Sequence, residues 1–98
     1  MTKDQTHTFT NLITLLSHIQ SSEKMERVLK DICTPKELSS LQERWQVAQL
    51  LSSGLSYREV HAKCGSSLTT ITRVARFLNV ESNQGYKILL ETKQNLEK

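Results

Sequence analysis

One proline and three glycines are all that punctuate 98 residues, and they stand at Pro35, Gly54, Gly65 and Gly85. Between them apolar residues recur every three or four positions and never alternate, which is the spacing of helices and not of strands. Phe9, Leu12, Ile13, Leu16 and Ile19 predict an amphipathic helix from about Thr8 to Gln20. Met25, Val28, Leu29 and Ile32 predict a shorter second one. Thr34-Pro35-Lys36-Glu37 reads as a helix start: a capping threonine, a proline at the first helical position, and a glutamate able to reach back. That third helix is expected to run to about Ser53, with Gly54 as its left-handed stop. Its stripe of Leu38, Leu41, Trp45, Ala48 and Leu55 is widened by Val47, Leu50 and Leu51, so it should pack on more than one side. A last helix follows Gly85 through Tyr86, Ile88, Leu89, Leu90 and Leu96. The expected fold class is all-α, with about six helices in one domain spanning 1–98.

The segment between Gly54 and Gly85 carries the functional signal. Ser56-Tyr57-Arg58-Glu59 is a second capping box, and Gly65 interrupts the short helix it opens. Ser66 or Ser67 can cap the helix that follows, to about Leu78, which makes 56–78 a helix-turn-helix pattern. Val60, Cys64, Ile71, Val74 and Leu78 occupy its inward positions. Thr69, Thr70, Thr72, Arg73 and Arg76 remain on the second helix, hydroxyl and guanidinium groups suited to base edges and phosphates.

Charge points the same way. The chain has a net charge of +3. Between Leu55 and Val80 stand Arg58, Lys63, Arg73 and Arg76 against Glu59 alone, and the acids and bases elsewhere cancel. Basicity concentrated in one quarter of a chain favours an anionic partner, nucleic acid such as double-stranded DNA ahead of a membrane surface. Met1 to Thr10 lack a signal-peptide core and no apolar run approaches membrane-spanning length, so a cytoplasmic protein without a membrane partner is expected. Cys33 and Cys64 are too few for a disulfide framework. His61 and Cys64, three apart on one helix, could supply half a zinc site, but no second ligand pair is evident. No nucleophile–base set is visible either, so neither an enzyme nor a cofactor-dependent protein is expected.

The residues also resemble a known family. Thr34-Pro35-x-Glu37, Arg44 seven residues beyond Glu37, Gly54-x-Ser56-x-Arg58-Glu59, Gly65, and Thr70-Ile71-Thr72-Arg73 occur in the order found in the Trp repressor family. His61 adds to the likeness, as a larger polar residue where a common helix-turn-helix carries a small one. The match covers about Ile32 to Leu78. The tail Asn83-Gln84-Gly85-Tyr86 is similar to the YerC/YecD subgroup of Trp-repressor-like proteins.

That resemblance implies an intertwined, all-helical homodimer and a DNA-binding transcriptional regulator, a repressor, whose 67–78 helix reads the major groove. Arg58 would touch the DNA backbone; Leu68, Thr69, Thr70 and Thr72 would approach bases. Arg76 belongs to the same interface, His61 could add a phosphate contact, and the backbone N–H groups of Ser66 and Ser67 could hold another phosphate. The tryptophan-sensing members sandwich an indole between two arginines that correspond to Arg44 and Arg73, in a pocket that would include Thr34. Val74 replaces their glycine and Phe77 a serine, so the pocket is expected to be filled and tryptophan not to be the switch. Two alternatives stay open: an interaction module on the same scaffold that does not bind DNA, and a repressor gated by another small effector.

Overall fold

The computed structural model describes residues 1–97. Six helices follow one another: α1 (Lys3–Ser17), α2 (Ser22–Ile32), α3 (Pro35–Ser52), α4 (Tyr57–Cys64), α5 (Leu68–Asn79) and α6 (Gly85–Leu96). No strand occurs among the described residues, so the all-α expectation holds.

The helix starts follow their caps. At α3 the Thr34 N–H donates to Glu37 Oε1 at 2.8 Å while the Glu37 N–H donates to Thr34 Oγ1 at 3.1 Å. Each satisfies a backbone donor that the first turn leaves without a partner. α1 begins five residues earlier than the apolar spacing predicts. Thr2 and Gln5 form a capping box of their own, and a cap overrides the absence of apolar residues in the first turn.

By contact the chain falls into two compact units, Met1–Leu38 and the part from Ser39 on. In the first unit neither α1 nor α2 buries any residue, and Phe9, Leu12, Ile13 and Leu15 are all exposed. In the second, Val47 and Ala48 of α3, Val60 of α4, and Ile71 and Val74 of α5 make the buried core. Trp45, Leu50, Leu51, Leu55, Cys64 and Tyr86 pack around it. The widened stripe of α3 thus divides: its C-terminal half enters the core, while Leu41 stays exposed.

Candidate nucleic-acid interface

Ser56 caps α4: its hydroxyl accepts from the Glu59 N–H at 3.2 Å, and the Ser56 N–H donates to Glu59 Oε1 at 3.1 Å. These bonds favour the charged carboxylate and hold Glu59 below its ordinary pKa, the bond from the Ser56 backbone acting most strongly. They hold Glu59 at the cap, one helical turn from Lys63. Among the described residues neither Lys63 nor Arg58 forms an ion pair, and both are exposed.

α4 ends on Gly65 at φ +75°, a left-handed conformation in which a side chain would strain the backbone. Gly65, Ser66 and Ser67 then turn the chain into α5. His61 braces this turn, its Nδ1 donating to the Ser66 carbonyl at 2.7 Å. A carbonyl oxygen only accepts, so Nδ1 carries the hydrogen and Nε2 of the neutral ring is an acceptor. The phosphate contact expected of His61 is therefore open only to the doubly protonated ring.

Ser66 departs from its expected surface role. It is 2% exposed, its hydroxyl lies 3.3 Å from the Cys64 thiol, and it belongs to the packing of the turn. Ser67 is the cap of α5, its hydroxyl accepting from the Thr70 N–H at 3.2 Å. Thr70, half-buried, pairs with Ser67 through its own hydroxyl at 3.1 Å.

The remaining face of α5 is clean. Ile71, Val74, Ala75 and Leu78 are buried, whereas Leu68, Thr69 and Thr72 are exposed, Leu68 by 63%. Both arginines of the helix have partners within the chain. Arg76 Nε donates to Glu81 Oε1 at 2.7 Å. The Arg73 guanidinium carbon sits 4.7 Å from the centre of the Phe77 ring, a cation–π stack. Glu81 escaped sequence reasoning because it lies one residue beyond the basic window and five from Arg76, a separation that pairs residues only where the helix has ended. α5 ends at Asn79, which lets the chain fold back.

The sequence profile of the family described as Trp repressor protein matches residues 7–94. The chain belongs to the Trp repressor family. It is 34% identical over 79 residues to the uncharacterized protein YerC of Bacillus subtilis, which covers 81% of this chain and 75% of that one. It is 37% identical over 76 residues to the Trp operon repressor homolog of Xylella fastidiosa, covering 76% and 80% respectively. A candidate Trp repressor from Staphylococcus aureus, solved by crystallography, superposes with a TM-score of 0.82 at 27% identity over 96% of this chain and 95% of its own.

For a Trp repressor family member the residues expected at an effector pocket fall in different settings. Thr34 is engaged in the capping box of α3. Arg44 is half-buried on α3 without an ion pair among the described residues. Val74 is fully buried as part of the helical core. Phe77 is half-buried and carries Arg73 on its ring. With Tyr86 and Leu89 of α6 it also borders an apolar cleft of about 270 Å³.

Proposed function

We propose that this chain is a DNA-binding transcriptional regulator, a repressor, and that α5 enters the major groove of its operator. One observation carries the reading: α5 buries Ile71, Val74, Ala75 and Leu78 and turns Leu68, Thr69 and Thr72 to the surface, next in the chain to a helix whose Arg58 and Lys63 have no ion-pair partner among the described residues. Exposed cations supply sequence-independent attraction to phosphates, and short side chains on a supported helix let it approach base edges. In this reading 1–98 is one Trp-repressor-like domain, 56–78 is its helix-turn-helix, and the protein acts in the cytoplasm without catalysis.

The protein works as a homodimer. No residue of α1 or α2 is fully buried, and a second copy gives the exposed Phe9, Leu12, Ile13 and Leu15 a partner. Two reading helices would then contact half-sites about one helical turn, roughly 34 Å, apart. Tryptophan is not the effector. Arg73, one of the two arginines that would sandwich an indole, is already stacked on the chain's own Phe77.

Selection of bound sites from random duplex DNA tests the reading. A palindromic site whose affinity falls steeply with added salt is expected. Absence of binding to any duplex at low salt would instead favour the interaction module.

A further inference from the structure

The groups left free on α5 are of an unusual kind for a DNA reader. Arg73 is stacked on Phe77, Arg76 is held by Glu81, and Thr70 is paired with Ser67. Asn79, the last residue of α5 and its only Asn or Gln, donates Nδ2 to the Ala75 carbonyl at 3.0 Å. The side chains of α5 able to read guanine or adenine in bidentate fashion therefore each have a partner within the chain. Leu68, Thr69 and Thr72 remain exposed, and they share one face at spacings of one, three and four residues.

From this inventory we infer that α5 reads thymine through its 5-methyl group, with Leu68 as the specificity-determining contact and the Thr69 and Thr72 methyls beside it. This deepens the DNA-binding reading and rests on it. In the major groove the thymine methyl is the one apolar feature among the four bases, and an exposed leucine has no hydrogen bond to offer any other edge. Leu68 to Thr72 spans about 6 Å of helix axis, the length of roughly two base steps. Leu68 is the first residue of α5, directly after its cap, which puts it where a reading helix enters the groove. The carboxylate that restrains Arg76 is not at that end: Glu81 lies beyond the C-terminus of α5.

The decisive probe removes methyls and nothing else. The tightest duplex from a random pool would be compared with the same duplex made with deoxyuridine in place of thymidine in one half-site. For the intact protein, loss of each contacted methyl should weaken binding about four-fold, the effect of exposing one methyl-sized apolar group. Leu68→Ala should lose most of the difference between the two duplexes, with the salt dependence of the intact protein, while Leu68→Ile should keep it. Because Leu68 is exposed, circular dichroism of the variants should match the parent. A selected half-site without thymine, equal binding of both duplexes by the intact protein, or a base preference that vanishes in Arg73→Ala or Arg76→Ala would overturn the inference while leaving DNA binding intact. Failure to bind any duplex would overturn both.

Discussion

His61 Nδ1 and the Ser66 carbonyl oxygen are 2.7 Å apart, so an α4 side chain closes the turn that leads into α5. The bond spans a left-handed glycine and a buried serine. It adds to the packing of Val60 with Ile71 and Val74, which also joins the two helices. His61→Ala should lower the stability to urea by about 1 kcal/mol, the net worth of one hydrogen bond. His61→Phe fills similar volume without a donor and should not restore the loss. Equal stability of the parent and His61→Ala would show that the turn holds without the imidazole.

In the proposed interface Glu81, which holds Arg76, would compete with phosphate for it. Their pair is largely solvated on the arginine side and contributes little to stability, at most about 1 kcal/mol. Releasing it should nevertheless help an anionic partner. Glu81→Gln is expected to raise duplex affinity about two- to five-fold at low salt, with the gain shrinking as salt rises. Fluorescence anisotropy at two salt concentrations measures it. Unchanged affinity would place Arg76 outside the interface.

L-Tryptophan should give no saturable heat in calorimetry at micromolar to millimolar concentrations. The Arg73–Phe77 stack supplies the reason, since an aromatic ring already lies under the guanidinium. Duplex affinity should likewise be the same with and without tryptophan. Saturable micromolar binding would mean that Phe77 swings aside at small cost, and the tryptophan part of the proposal would fail.

Acid should weaken the starts of α3 and α4. Glu37 and Glu59 both lie below their ordinary pKa, each held there first by a backbone N–H, of Thr34 and Ser56 respectively, and then by the side chain of the same residue. A depressed folded-state value means a stabilising contribution that is complete above the ordinary glutamate range and is lost as pH falls through the lowered value. Melting followed by circular dichroism should therefore be flat from pH 7 to about 5 and decline below about 4. Glu37→Gln with Glu59→Gln keeps an acceptor at both caps and should flatten part of that decline. An identical acid profile in parent and double variant would show that the two caps contribute nothing to it.

The two halves of the chain differ in how far they can be read in advance. Local rules suffice wherever a helix is set by its own neighbours: Thr34 and Glu37, Ser56 and Glu59, Gly54 and Gly65 mark their boundaries because caps and left-handed stops need only a few consecutive residues. The inward positions of α4 and α5 were legible for the same reason, since helical periodicity alone puts Val60, Ile71, Val74 and Leu78 on one side. Apolar spacing alone places the start of α1 too late, because the Thr2–Gln5 cap opens the helix ahead of its first apolar residue.

What periodicity cannot carry is the choice of partner for a long polar side chain. Arg76, Arg73 and His61 each have several groups within reach along the sequence, and those alternatives differ by no more than a surface contact. Only the folded chain decides that Arg76 meets Glu81, that Arg73 lies on Phe77, that His61 bonds the Ser66 carbonyl, and that Ser66 turns inward. The amino-acid order by itself determined six helices, their caps and a basic helix-turn-helix. Tertiary structure decided which of its polar groups are left free for a partner, because that depends on where the chain turns after each helix ends.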